Sequence, residues 1–161
     1  MATDSTRKKA IAGLVTVLAA VTAGSDYFYT LSGDLTVSST FELDSVRIEN
    51  PSPVTLRVRD GVERHKRDFQ DTTAGSTAEL QLVIDVLVKH RSGDGPNLVN
   101  EMQNVIHDVL LAVGKDRSLS ASVNDAFVSE VEEPIYDMDQ NLAAVTIRVA
   151  CEYDYLSGAT T

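Results

Sequence analysis

The sequence predicts an α+β domain: a mostly antiparallel sheet with two main helices packed on one of its faces. Three observations carry this prediction. Glu79–Lys89 and Leu142–Tyr155 alternate apolar and polar residues with period two, as a strand with one buried face does. Residues 6–23 and 96–113 space their apolar residues at three and four, as amphipathic helices do. The order is helix, strands, helix, strands, which suits helices gathered on one side of an antiparallel sheet. The 161 residues amount to a single domain, 1–161, with 25–50 and 70–77 expected to be extended or mobile loops.

At the N-terminus, Arg7-Lys8-Lys9 precede an apolar run from Ala10 to Val21, and Thr22-Ala23-Gly24 follow. A secretion signal has the same outline. Helical spacing is the favoured reading, because Ile11, Leu14, Val15 and Leu18 share one face. Asp4 or Ser5 is placed to cap this helix and Gly24 to stop it. The run is too short to span a bilayer, which takes about 20 apolar residues. In 25–50, the pairs Leu35/Val37, Phe41/Leu43 and Val46/Ile48 alternate among Ser, Thr and Gly, giving loop or short strand. Asn50-Pro51-Ser52-Pro53 breaks the chain, because each proline biases its predecessor away from helix.

Val54, Leu56 and Val58 then alternate with Thr55, Arg57 and Arg59 as a half-exposed strand. Asp60-Gly61 predicts a tight hairpin turn, with a returning strand over Val62–Phe69. After the Glu79–Lys89 strand comes the second helix. Asp94 caps it, Pro96 sits in its first turn, Gly114 ends it, and Leu98, Met102, Val105, Ile106, Val109 and Val113 face the core. Ala126-Phe127-Val128 reads as a short strand before the acidic stretch Glu130, Glu132, Glu133, Asp137, Asp139.

Charge is unevenly distributed. The chain carries 14 bases and 24 acids, net −10. Residues 51–91 hold seven bases and six acids, whereas 92–161 hold three bases and twelve acids. Opposite-sign surfaces on one domain suit head-to-tail association. So acidic a protein is a poor candidate for gripping nucleic-acid phosphates. One cysteine, Cys151, excludes an intrachain disulfide and any all-cysteine metal cage.

Catalytic chemistry finds little support in the sequence. Asp137, Asp139 and Asn141 match positions 1, 3 and 5 of a calcium loop, but Leu142 and Arg148 stand where Gly and Glu are required. His65, His90 and His107 have no metal-ligand spacing. Cys151 belongs to the apolar row of its strand, as a core cysteine would. Ser92–Pro96 is glycine-rich but lacks the Lys-Ser/Thr that grips phosphate. No catalytic residue, cofactor or metal is expected, and the chain does not read as an enzyme. The distinctive surface feature is basic: Arg57, Arg59, Arg64, His65, Lys66 and Arg67 gather around the expected turn, with Glu63 and Asp68 as local partners. The plain reading is a solvated hairpin, with a protein assembly interface beside it; without interleaved aromatics or a helix for a groove, nucleic acid ranks last.

In its order of elements the chain resembles the tail terminator (tail completion) proteins of tailed bacteriophages. The matching parts are the helix Thr6–Ala23, the strand pair around Val54-Thr55-Leu56-Arg57-Val58-Arg59-Asp60-Gly61, and the strand Glu79–His90 leading into helix Pro96–Val113. That helix finishes in Gly114-Lys115-Asp116, and the closing strand ends Cys151-Glu152-Tyr153-Asp154-Tyr155. Residues 25–50 depart from the pattern as an insertion. The resemblance implies a structural virion protein of the tail and neck, assembled in the host cytoplasm. It implies a ring, typically of six subunits, that caps the head-proximal end of the tail tube, stops its growth and presents a surface to the head connector. Its partners would be its own copies, the tube protein, the head–tail connector and the sheath protein, with DNA only passing through and no membrane. In that setting Arg57, Arg59, Arg64, Lys66 and Arg67 are expected to meet an acidic neighbour. Glu130, Glu132, Glu133, Asp137 and Asp139 are expected to face the channel or an axial interface. A head–tail connector or tail tube subunit is the alternative reading.

Overall fold

The computed structural model describes residues 5–32, 35–37, 54–66, 76–90 and 95–155. Helix α1 (Thr6–Ala19) begins at Ser5, whose hydroxyl accepts the Lys8 N–H at 3.3 Å. Its buried stripe is Ala10, Gly13, Leu14, Val17 and Leu18, with Ile11 and Val15 only partly buried. The stripe is rotated from the expected one because Ala10 and Gly13 are small enough to let the helix close on its neighbours. A Cβ on Gly13 would lie 2.2 Å from the Leu119 carbonyl oxygen. At 14 residues α1 is marginal alone in water, so its packing holds it helical. It stops at Ala19, five residues before Gly24, because the following chain folds back: Leu31 N–H donates to Val21 O at 3.1 Å.

Strand β1 (Leu35–Val37) pairs in parallel with β2 (Val54–Lys66). The expected hairpin turn at Asp60-Gly61 does not form. Instead β2 runs straight through it and pairs antiparallel with β3 (Ser76–Lys89) along its length. Between the pairs Asp60↔Leu82 and Glu63↔Leu80 lie two residues of β2, Gly61 and Val62, against Gln81 alone. The Asp-Gly signal thus marks a β-bulge. Glycine is needed there, since a Cβ on Gly61 would approach the Gln81 carbonyl oxygen to 2.7 Å. The rest of the expected return strand, 67–69, lies outside the described residues, as does 70–75 of the expected loop. Ser76 and Thr77 belong to β3 rather than to a loop.

Helix α2 (Gly95–Lys115) buries Leu98, Met102, Val105, Ile106, Val109 and Val113 as expected. It continues one residue past Gly114, and its expected cap Asp94 lies outside the described residues. Strands β4 (Asp125–Val131) and β5 (Ile135–Asp137) both pair antiparallel with β6 (Leu142–Tyr155), which also pairs with β3. The sheet order is β1-β2-β3-β6-β4, with β5 beside β6.

One face of this sheet is covered. Leu56, Val58, Leu80, Leu82, Ile84, Val86, Val145, Ile147, Val149 and Cys151 form one core with the buried residues of α1 and α2. Each such aliphatic side chain contributes about 1.5–3 kcal/mol by leaving water. The protein is therefore an α+β fold with a mostly antiparallel sheet, and both helices sit on the same side of it. A strap, residues 21–31, lies over α2. Its Phe28 and Tyr29 N–H groups donate to the fully buried Asp108 carboxylate at 2.8–3.1 Å, and Leu31 is fully buried beneath it.

Candidate functional site

Among the described residues, no helix covers the second face of the sheet. Strand register places its side chains in rows. Arg64↔Glu79↔Glu152↔Asp125 form one row and Arg59↔Val83↔Arg148↔Glu130 another. Arg57↔Asp85↔Thr146 and Thr55↔Leu87↔Ala144↔Ile135 follow. Each side of the face therefore carries one sign of charge: bases along β2, acids along β4 and the segment after it.

The central rows are tied together. Asp85 accepts from Arg57 Nη2 at 3.0 Å and from Arg59 Nε at 2.8 Å, and Thr146 Oγ1 donates to it at 3.3 Å. Burial pushes the Asp85 carboxyl up, but the hydrogen bonds and charges of Arg59 and Arg57 outweigh it and hold the group below its ordinary 3.8. Arg57 is itself buried at 8% exposure. Val83, between Arg59 and Arg148 in its row, is sealed at 1%. Long cationic stems shield apolar atoms in this way. Arg148 in turn meets Glu130 at 3.2 Å and Glu132 by a short charged hydrogen bond.

The predicted basic cluster is thus divided by the structure. Arg57 and Arg59 share a face, as their spacing predicts, but bind Asp85 within the sheet. Arg64 is exposed, beyond the bulge. Lys66 ends β2 opposite Thr77, and Arg67 lies outside the described residues. The cluster does not surround a turn. Glu63, expected as its local partner, points the other way, accepting from the Tyr153 hydroxyl and meeting Arg7 at 3.5 Å. Arg7 also binds Asp60 at 2.7 Å and donates to the Gly61 carbonyl at 2.8 Å, so the N-terminus of α1 is clamped onto the bulge.

The acidic stretch is divided as well. Glu130 and Glu132 hold Arg148, while Glu133 and Asp139 are exposed. Asp137 shapes the turn between β5 and β6, accepting the Asp139 and Gln140 N–H groups at 3.1 Å, and Asn141 adopts the left-handed conformation at φ 53°. The calcium-loop positions are thus a tight turn, and among the described residues no group of three or more His, Cys, Asp or Glu could hold a metal ion. His90 Nδ1 lies 2.8 Å from Glu101 Oε2, and His107 meets Phe28 edge-on. Burial, with Asp125 adding, pushes the Cys151 thiol up to about 12, so it is no nucleophile at neutral pH.

Exposed apolar side chains complete this side. Phe127 (45% exposed) and Ile135 (74%) lie on this face opposite Ala150 and Ala144, and Met138 is exposed in the turn after β5; Val131 is exposed too, but it stands opposite the core residue Ile147 and so at the edge of the helix-covered face. Beside Ile135 a depression of about 340 Å³ opens on the sheet, floored by Leu87, Leu142 and Ala144, walled by Arg57 and Asp85, and rimmed by Glu133. The four exposed apolar residues were not singled out from sequence as a surface, although they recur every three or four residues through the acidic stretch. No helix among the described residues is long and apolar enough to cross a membrane. The chain matches no protein-family model, and no curated protein matches it significantly.

Proposed function

We propose that the protein is a structural assembly subunit of the phage tail terminator type. It would act without catalysis, as a ring at the head-proximal end of the tail tube in the virion neck. One observation carries this reading: the helix-free face has bases along one side and acids along the other, and the acidic side bears exposed Phe127 and Ile135, with exposed Met138 in the turn beyond. Exposed apolar groups clustered among charges suit protein–protein contact. Unlike opposite sides suit a heterologous contact, which closes into a ring when the subunit rotation allows. The element order supports it in part: helix, long strand, helix and closing strand follow as in that family, while the strand pair expected around Asp60-Gly61 is one bulged strand, β2.

If the rotation does not close, the same contact yields an open helical tube. That is the second reading, a tube subunit. Electron microscopy of the purified protein, alone and mixed with tail tubes, separates them. Single rings, or density capping one tube end, are expected. Long tubes from the protein alone would make it a tube subunit, and monomers that ignore tubes would remove the reading. The tube protein, head connector and sheath protein are its proposed partners, and DNA would only pass through the ring.

A further inference from the structure

We infer that the β4–β5 side of one copy docks on the α1–β2 side of a second copy, head to tail, so that the acidic stretch forms the seam between subunits. This deepens the ring reading and rests on it. Three observations bring the two surfaces together. The first is topological: β2 and β4 lie three strand spacings apart in the sheet, roughly 14 Å, so their sides face away from one another and cannot meet within one chain.

The second is charge. Residues 125–141 hold six acids and no base; Arg117 meets Asp125 and Arg148 meets Glu130 and Glu132, which leaves Glu133 and Asp139 among the exposed acids there. Residues 5–20 and 54–66 together hold seven bases and two acids, and Arg7 bonds the helix carrying three of those bases onto β2. Opposed sheets of charge steer two such surfaces into register and oppose contact between like ones. The third is apolar surface on both sides. Val62, at the bulge, is 57% exposed and Val37 on β1 is 59% exposed, at the opposite end of the strand order from Phe127, Ile135 and Met138. Apolar residues at the centre with charges around them is the make-up of a stable interface. Like-on-like pairing through a two-fold axis would instead oppose acids to acids. The arrangement moves the acidic stretch from the expected channel lining or axial interface into the boundary between neighbouring subunits.

The test uses the buried, unreactive Cys151 as a silent background. Val62→Cys and Ile135→Cys are made separately in the full chain, and a short bis-maleimide cross-linker is added to each and to their mixture. Light scattering on the uncross-linked parent gives the assembly size. The expected result is an assembled parent, a covalent dimer in the mixture, and no covalent dimer from either variant alone. A second pair of variants reads the charges. Glu133→Lys with Asp139→Lys, and Lys9→Glu with Arg64→Glu, should each fail to assemble alone and assemble together when mixed. An assembled parent whose Ile135→Cys variant links to itself, or whose mixture gives no dimer, overturns this seam while leaving the ring. A parent that stays monomeric, alone and with tail tubes, overturns the ring and the seam together.

Discussion

Arg57 and Asp85 stand directly opposite one another in the β2–β3 ladder, and the guanidinium reaches the carboxylate at 3.0 Å with only 9% and 16% of the two side chains exposed. Arg59 bonds the same oxygen at 2.8 Å, so one carboxylate balances two guanidiniums. Removing it would leave Arg57 as a buried charge lacking this partner. Asp85→Ala is therefore expected to lower stability by on the order of 3 kcal/mol in urea denaturation at neutral pH. An unchanged midpoint would show that this carboxylate does not hold the strands.

The same carboxylate gives a pH dependence with a definite sign. Its folded pKa is depressed, so the folded state binds fewer protons than the unfolded chain as pH falls. The stabilisation is complete above the unfolded value of about 3.9 and is lost as pH falls through the folded one. The parent should lose stability below about pH 4, and Asp85→Asn should lose less over that range. Urea midpoints measured at a series of acid pH values check this.

Two glycines should respond to alanine in opposite directions. At Gly13 a Cβ meets the Leu119 carbonyl oxygen at 2.2 Å and Ser122 Oγ at 2.6 Å. That carbonyl belongs to a turn in which Leu119, Ser120 and Ala121 all have positive φ, with Asp116 accepting from Ser118 and Ser120, so it has little room to shift. Gly13→Ala should cost about 1–3 kcal/mol. At Gly114, in the last turn of α2, nothing lies within 4 Å. Gly114→Ala should stabilise by up to about 1 kcal/mol through helix propensity. Thermal melts of the two variants should move Tm down and up respectively.

Asp108 is the fully buried carboxylate that fastens the strap. Asp108→Ala leaves the Phe28 and Tyr29 N–H groups without their acceptor, at a cost of about 1–3 kcal/mol. The effect should be local first. Amide hydrogen exchange at Phe28, Tyr29 and Leu31 should quicken far more than exchange in β3 or β6. Equal acceleration everywhere would mean that the strap is not a separate unit.

Cys151 offers a probe of unfolding. With its thiol pushed up to about 12 and its side chain buried, it should resist thiol reagents at pH 8 in the native state. Labelling in increasing urea should follow the loss of circular dichroism. Immediate labelling without denaturant would show that β6 is not seated against the helices.

The sequence reading succeeded where one periodicity ran unbroken. β6 occupies Leu142–Tyr155, as its alternation predicts, because every second residue from Val145 to Tyr153 enters one core. α2 was equally legible from its apolar stripe, and β4 exceeds Ala126–Val128 because its later residues pair with β6 while remaining exposed. What failed was long-range. Nothing in the local sequence says that β2 pairs with β3 rather than with itself, and the partners of Arg57 and Arg59 follow only from that pairing. Asp108 gave a signal that went unused: a carboxylate bordering the core stripe of α2 needs donors from elsewhere. The exposed apolar side chains of β4 and β5 were hidden by reading the acids around them as a single charged surface.

The bulge at Gly61-Val62 acts as a parity switch. Before it, even-numbered residues of β2 enter the core and odd-numbered ones, Arg57 and Arg59, face away; after it, Glu63 turns inward and Arg64 outward. Three arginines at odd and even positions thus reach the same side of the sheet. A strand of unbroken alternation would have driven Arg64 under the helices. Deleting one residue at 61–62 would leave every pair on both flanks in phase, whereas deleting one elsewhere in β2 would throw half the strand out of step. This strand therefore has one place where its length can change by a single residue without turning it inside out.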